Sequence, residues 1–592
     1  MPVSPNRDVS PPVSLLLIAA ALWVGAAGAG VAQAQVQLFP PVETESTASE
    51  APAPAQPSAP EGMSVESLDS VDAEAVGAVV DPSEALPPTL WTGLSRATVA
   101  ALIDGLPAAG DYPAARSLSR RLLLTAASLP PADSDPPISV LRARVAALAR
   151  LGFAADAATL AQTGADALRD PQGQAALAGA QLAAFDLPGA CATAVQASTR
   201  DTSSFWAKLL AFCQAVAGQK DQASLAAQTL LDTGEDDPLY FMLMDSITLD
   251  LAPEVGGMTA AGPLHYAMLR YADAPVPADL RDPNIALLAV QRSDDLAAAE
   301  AAALRGLLPP GDLADKYLAE KFKDSALDTP LEVLDRISPA GGRALLYQVL
   351  LRWEIPALRA EAVSTALNRA SADGVGLAVA PVFAGPALDI PPSADLLWFA
   401  EDAARLFYRT GHIDRARAWH ALLRNAALTD TAAAESDARL WHLAMLTGET
   451  GTALGRSRQG WEEAVVSGAR DADRGRAHLA FLQALIAAST GAEAVAGEAE
   501  LRAAAMAAAA EDGPGASALT LDLLDQAASA GRSGETAALS IAALASAPAP
   551  ELSPSTVTAV VRALRRAGLQ RDARRLAVEA AVLAEPEPRS PD

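Results

Sequence analysis

The chain has 592 residues and a net charge of −27; hydrophobic residues make up 51% of it and charged residues 19%. Because one hydrophobic core rarely organises a chain of this length, several domains or one repeat array are expected. A strongly negative protein is repelled by nucleic acid and by anionic lipid, which argues against both classes of partner. A basic partner and solubility alone explain the charge equally well.

Alanine dominates the composition, at about a quarter of the chain. It favours helix because its side chain loses no conformational entropy there. Runs of β-branched residues with period-two alternation, typical of strands, are nearly absent. The sequence therefore predicts an all-α protein.

The N-terminal residues 1–34 have the pattern of a secretory signal peptide. An apolar run over residues 13–25 is followed by small residues, which predicts cleavage between Ala34 and Gln35. The alternative is an uncleaved anchor, because residues 13–34 are just long enough to span a bilayer. No later apolar run is that long, so we expect a periplasmic or secreted protein without a membrane span after cleavage.

The rest of the chain divides by composition. Residues 35–86 mix Pro, Ala, Ser and Glu, a composition typical of a disordered linker. Two helical solenoids are predicted over residues 87–305 and 386–585, with an irregular helical connection over residues 306–385. Residues 586–592 are expected to form a short disordered tail.

The longest candidate for a non-helical segment covers residues 372–393, where Val, Leu and Phe alternate with Gly and Pro. We interpret it as a long connection between the solenoid halves, with a domain boundary near residue 385. The alternative is an apolar loop that folds into a groove or meets a partner.

A turn pattern recurs along the chain: a large apolar residue, a glycine four positions later, and a small residue five beyond the glycine. The pairs of glycine and small residue are Gly110 and Ala115, Gly152 and Ala157, Gly218 and Ala223, Gly411 and Ala416, and Gly568 and Ala573; in the unit of Gly218 the first position is Gln214, not a large apolar residue. Asp186 and Cys191 stand in once, and Gly448 and Ala453 repeat the step without the large residue.

The physical basis of this pattern is a helical hairpin. A glycine after a helix adopts the left-handed conformation, and a second helix then runs antiparallel to the first. Only a small side chain fits where the two axes approach. A small residue recurs one turn later in most units, but His420 breaks this rule in the unit of Gly411.

The hairpin pattern, including GDYPAA at residues 110–115, resembles the tetratricopeptide repeat. The turns at Gly152, Asp186 and Gly218 recur at intervals of about 34 residues, the length of that family's repeat. The resemblance, in a degenerate form, implies an elongated α-solenoid of antiparallel helix pairs. It covers about two-thirds of the chain and follows the disordered tether.

The sequence carries no recognisable catalytic or metal-binding motif. The five histidines are His265, His412, His420, His442 and His478, and no two have the i, i+4 spacing of a helical metal site. No Walker A loop, HExxH or GxSxG motif is present outside the signal segment. We therefore predict a non-catalytic protein without a metal or cofactor.

Four tryptophans are spaced through the C-terminal half: Trp398, Trp419, Trp441 and Trp461. One interpretation is core packing. The alternative is a partner groove, with Trp398, Trp419 and Trp441 as aromatic anchors beside the basic residues Arg405 and Arg409.

The chain has two cysteines, Cys191 and Cys213. They fall in successive helices that turn near residues 200–202, so an antiparallel pair brings them within reach of each other. Export to an oxidising compartment favours a disulfide. The alternative is a pair of buried thiols, because Cys191 takes the alanine position of the repeat.

These expectations converge on a periplasmic scaffold or adaptor that binds protein partners of the cell envelope in a helical-repeat groove. The alternative is a periplasmic protein that binds a glycan or small ligand through the C-terminal tryptophans.

Overall fold

The structure is a computed structural model. It describes residues 72–79, 81–108, 112–132, 138–260, 262–276, 282–449, 457–469, 472–491, 513–549 and 551–584. Within these ranges every regular element is a helix, so the prediction of an all-α fold is confirmed. The predicted signal peptide with its cleavage site at Ala34 and Gln35, residues 35–71 of the predicted linker, Gly110, Ala453 and the tail over 586–592 lie outside the described residues.

The α-helices of the first half are α1 Arg96–Asp104, α2 Pro113–Leu124, α3 Val140–Arg150, α4 Ala154–Thr163, α5 Pro171–Ala183, α6 Leu187–Ala197, α7 Ser204–Val216, α8 Lys220–Asp232, α9 Pro238–Leu249, α10 Pro263–Tyr271, α11 Pro283–Arg292, α12 Leu296–Leu304 and α13 Pro310–Ala319.

Those of the second half are α14 Asp324–Asp328, α15 Pro339–Arg352, α16 Pro356–Ala372, α17 Gly376–Ala387, α18 Ala400–Thr410, α19 Ile413–Ala426, α20 Thr431–Leu446, α21 Ser457–Gly468, α22 Ala472–Thr490, α23 Ala518–Ser529, α24 Ser533–Leu544, α25 Pro554–Arg566 and α26 Gln570–Leu583. Short 3-10 helices cover Pro82–Glu84, Ala165–Leu168, Pro330–Glu332, Leu334–Arg336 and Ala394–Phe399. No described helix is long and apolar enough to cross a membrane.

Consecutive helices pack in pairs through most of the described chain, as a helical-repeat solenoid requires. The glycines of the turn pattern adopt the left-handed conformation, with positive φ at Gly152, Gly218, Gly411, Gly448 and Gly568. The small residue five beyond the glycine is fully buried at Ala157, Ala223, Ala416 and Ala573, and Ala115 is buried too.

One turn of the repeat differs in register from its prediction. The left-handed residue between α5 and α6 is Phe185, not Asp186. Asp186 instead caps α6, accepting a hydrogen bond from the N–H of Gly189 at 3.0 Å. The buried small residue is consequently Ala190, and Cys191 lies one position further along the helix, half-buried. With this register the left-handed residues of three successive turns, at Gly152, Phe185 and Gly218, are equally spaced.

A substitution at Gly411 tests the turn chemistry. Its φ of 81° is strained for a β-branched residue, although a Cβ there meets no atom within 4 Å. We expect Gly411→Val to lower the free energy of unfolding by about 1–2 kcal/mol, and Gly411→Asn to lower it less, because Asn tolerates this conformation. Denaturant titration measures the free energy of unfolding of both variants. Equal losses of stability in the two would contradict the interpretation that the strain comes from the backbone angle φ alone.

Residues 372–393 are not the non-helical connection that the sequence predicts. Gly374 ends α16 with a positive φ, and α17 begins at Gly376 and continues past Pro381. The apolar side chains of α17, including Val379 and Phe383, are fully buried, so their packing offsets the backbone hydrogen bonds that proline removes. Because α17 packs on α18, the core continues across residue 385.

The C-terminal part of the predicted linker belongs to the fold. Glu74 pairs with Arg96 at 2.9 Å and accepts the N–H of Val140 at 3.0 Å. The buried guanidinium of Arg144 donates to the carbonyl of Val76 at 2.7 Å and to two further carbonyls. Desolvation by burial lowers the pKa of Arg144 to about 10. Residues 72–79 are therefore tied to α1 and α3, in contrast to the disorder expected from their composition.

The first and last described helices pack against each other. Helix α2 contacts α24 and α26, and α1 contacts α24. The N–H of Gly534 donates to the carbonyl of Leu90 at 3.0 Å, and a buried ion pair joins Arg121 to Asp572. The carboxylate of Glu579 accepts the N–H of Ala114 at the start of α2 at 2.8 Å.

This contact between the first and last described helices gives stability a defined pH dependence. Burial raises the pKa of Glu579 to about 6, against the weaker opposing effects of Arg575 and the N–H of Ala114. Because the pKa of this carboxyl is higher in the folded protein than in the unfolded chain, its contribution to stability is fully present at pH values below 4.5, the pKa in the unfolded chain. The contribution is lost as the pH rises through 6.

We expect Glu579→Gln, which keeps an oxygen for the Ala114 N–H, to exceed the wild type in stability by about 2 kcal/mol at pH 7 and to match it at pH 4.5. Unfolding of both proteins at the two pH values measures this difference. A gap between variant and wild type that is the same at both values would contradict the prediction.

Two clusters of buried apolar side chains form the core. One holds the body of the protein, which comprises α1–α5 and α11–α26. The other, between Ala178 and Leu288, holds a lobe formed by α6–α10. Cys191 of α6 and Cys213 of α7 form a disulfide within this lobe, with Cα atoms 5.7 Å apart, so the predicted pairing is confirmed.

Candidate binding cleft

Perturbed titratable groups in buried polar clusters often mark catalytic sites. His420, the residue that breaks the small-residue rule, has no solvent exposure. Its Nδ1 lies 2.9 Å from the hydroxyl of Tyr408 and its Nε2 lies 2.8 Å from a carboxylate oxygen of Asp437. Tyr408 also donates to Glu449, and burial beside that carboxylate raises the pKa of Tyr408. The cluster joins α18, α19 and α20, and its buried imidazole leaves no surface for a substrate.

A second buried polar cluster likewise joins neighbouring helices. The guanidinium of Arg343 donates to both oxygens of Glu300, at 2.8 and 2.5 Å, and the hydroxyl of Tyr317 donates to Glu300 at 2.5 Å. Burial and the neighbouring carboxylate raise the pKa of Tyr317. These residues hold α12, α13 and α15 together. Nowhere in the described ranges do three or more metal-ligating side chains come together in a metal site.

The residues suggested for a C-terminal partner groove do not share one surface. Trp419 and Trp441 are buried in the core, where Trp441 lies 4.6 Å from the ring of Trp461. Trp398 is 55% exposed. Arg405 pairs with Glu401 on its own helix. The aromatic side chains of α19 and α20 therefore serve packing, and Trp398 is the one anchor of the set that solvent reaches.

A concave site with mainly apolar walls lies between the lobe and the body. It is a cleft of about 470 Å³, a size typical of ligand sites. Its floor is a stripe of small residues on α3 and α5, and its walls are aromatic and aliphatic side chains from α7, α10 and α11. The residues that line it are Ala146, Ala149, Arg150, Ala175, Ala176, Gly179, Ala180, Ala183, Phe205, Ala260, Gly262, Pro263, Tyr266, Asp282, Asn284 and Ile285.

The small side chains of the floor create the space. Ala176, Gly179, Ala180 and Ala183 follow one face of α5 at helical spacing. A Cβ at Gly179 would meet only Pro263, at an ordinary contact distance of 3.7 Å. A helix face this flat leaves room for one bulky side chain of an occupant.

Four of the described lining residues carry polar side chains: Arg150, Tyr266, Asp282 and Asn284. Tyr266 is 6% exposed, and its hydroxyl makes no hydrogen bond with any residue that the structure describes. Asp282 caps α11 through Oδ1, which accepts the N–H groups of Asn284 and Ile285. Its Oδ2 accepts no hydrogen bond from the described residues. Asn284 donates its side-chain amide to the carbonyl of Ala149 at 3.0 Å.

This cleft was not predicted from the sequence. Its lining comes from five helices, and the wall residue Phe205 is far from Asn284 along the chain. A local signal was nevertheless present, because Gly179 in the interior of α5 is unfavourable for helix unless another group must approach closely.

Comparison with family models, with curated proteins and with solved structures yielded no match to the chain.

Proposed function

We propose that the protein is an exported, non-catalytic binding protein that takes up a segment of a partner protein in the cleft between lobe and body. The observation that carries this proposal is the floor of small residues beneath Phe205 and Tyr266. A large apolar side chain of the partner, buried in this cleft, would remove its own apolar surface and the apolar surface of the cleft from water. Such burial is the main favourable contribution to association.

The export and the family resemblance are parts of the same proposal. A disulfide between Cys191 and Cys213 suits an oxidising compartment, and residues 1–34 have the pattern of a signal peptide. The left-handed turns and buried alanines favour degenerate tetratricopeptide-like repeats, whose grooves are suited to binding protein segments. The alternative, a glycan site built on C-terminal tryptophans, has less support because Trp419, Trp441 and Trp461 are buried.

A cleft-filling variant tests the proposal. Gly179→Leu places a side chain in the space of the occupant, while leucine favours helix over glycine by about 0.5–1 kcal/mol. Gly311→Leu is the matched control, since Gly311 lies exposed in the first turn of α13 with no atom within 4 Å of its Cβ position. Selection from a random peptide library on the immobilised, oxidised protein supplies the probes.

We expect selected peptides to share a large apolar residue and to bind the wild type and the Gly311→Leu variant equally. Binding to Gly179→Leu should fall at least tenfold, a loss of about 1.4 kcal/mol. Peptides that bind all three proteins equally would contradict the cleft as the site, and a selection without enrichment would contradict peptide binding itself.

A further inference from the structure

We propose that the cleft selects a partner segment in which a lysine or arginine adjoins the large apolar side chain. This inference rests on the proposed function and specifies the chemistry of its partner. It depends on which polar atoms the lining leaves without partners, and on the charge those atoms carry.

Three acceptor atoms of the cleft form no hydrogen bond with a described residue: Oδ2 of Asp282, Oδ1 of Asn284 and the hydroxyl of Tyr266. The first two only accept hydrogen bonds, and a tyrosine hydroxyl accepts as well as donates. An occupant that covers these atoms removes their water, so the occupant that best satisfies this site brings hydrogen-bond donors. Ammonium and guanidinium groups carry only donors.

Asp282 places a carboxylate at the cleft. Arg150 is the one basic side chain among the described lining residues; it is exposed, donates to the carbonyls of Leu106 and Asp104, and forms no ion pair with Asp282. The chain as a whole carries −27, so its field attracts a basic segment. A half-buried carboxylate beside apolar walls favours a cation more strongly than an exposed one does, since water screens the pair less.

Two variants separate charge from structure. Asp282→Asn removes the negative charge and keeps the helix cap, because Asn and Asp cap helices equally well. Tyr266→Phe removes a hydroxyl that no described residue binds, so the fold should tolerate it. Neither substitution narrows the apolar floor around Gly179.

The probes are three labelled peptides with the same neutral host sequence. Each carries one phenylalanine followed by lysine, norleucine or glutamate, where norleucine keeps the aliphatic stem of lysine without its charge. Fluorescence anisotropy with the full-length mature protein measures affinity at low and high salt.

We expect the lysine peptide to bind the wild type about five- to tenfold more tightly than the norleucine peptide, and the glutamate peptide to bind least. High salt should reduce the preference for lysine. Asp282→Asn should abolish it while leaving the affinity for the norleucine peptide unchanged, and Tyr266→Phe should weaken the lysine peptide alone.

The cation preference would be overturned if the wild type bound the lysine and norleucine peptides with equal affinity. If Gly179→Leu also lost binding of both peptides, the proposed function would still stand. A lysine preference that survives Asp282→Asn would also overturn the cation preference of the cleft, since the charge would then act elsewhere. Absence of binding by all three peptides, together with an unproductive library selection, would overturn the proposed function itself.

Discussion

Replacing Trp419 by alanine is expected to lower the free energy of unfolding by about 3–5 kcal/mol, the usual cost of removing a large buried aromatic side chain. Trp419 has no solvent exposure, and its ring meets Phe399 edge to face at 5.5 Å. Truncation leaves a cavity between α18 and α19 that the surrounding helices fill only in part.

Trp398→Ala provides the matched control, because this tryptophan precedes Phe399 in the chain and is 55% exposed. Its replacement should change stability by no more than about 0.5 kcal/mol. Thermal unfolding followed by circular dichroism compares the two variants. Comparable losses at both positions would show that Trp398 too is a packing residue, and a negligible loss at Trp419 would contradict its place in the core.

Glu300→Ala is expected to cost about 3–5 kcal/mol, because the buried guanidinium of Arg343 loses the carboxylate that accepts from two of its nitrogens and keeps the partly exposed Asp373 as its ion-pair partner. Arg343 is only 2% exposed, and Glu300 accepts two of its hydrogen bonds and that of Tyr317. The exposed pair of Arg169 and Asp166 serves as control, and Asp166→Ala should be close to neutral.

The double variant Glu300→Met with Arg343→Met shows whether this cost comes from losing the ion pair or from leaving the buried charge of Arg343 without Glu300. If the cost arises from the buried charge, replacing both partners by apolar residues should lose much less stability than Glu300→Ala. Denaturant unfolding of the three proteins decides this. A double variant that is less stable than Glu300→Ala would show that the ion pair itself contributes the stability.

Local chemistry explains which features of the fold the sequence predicts. A glycine after a helix and a small residue five positions later are consequences of one turn, so Gly152 and Ala157 could be identified without any tertiary information. The disulfide followed from the same logic, because the turn between α6 and α7 brings Cys191 opposite Cys213. Where the left-handed residue is not glycine, as at Phe185, the pattern is misplaced by one residue.

Features that depend on tertiary packing were not predictable in this way. The helix α17 contains Pro381 and Pro386, which argue against helix locally, and it forms because its apolar side chains are buried between neighbours. The cleft combines residues of α3, α5, α7, α10 and α11, so no window of sequence contains it. His420 lies between these cases: its departure from the repeat was visible, but its partners Tyr408 and Asp437 were not.

The packing of the first helices on the last has a consequence for how the chain folds. Leu90 and Gly534 are joined by a backbone hydrogen bond, a contact that closes a loop of about three-quarters of the chain and carries a high entropic cost. During synthesis, α1 and α2 emerge long before α24 and α26 exist to cover them, so their apolar faces stay open to aggregation and to chaperones in the interval. Completion of the packing of α1 and α2 therefore depends on residues that are made much later. A chain that terminates before α24 is expected to lose order at its beginning as well as at its end.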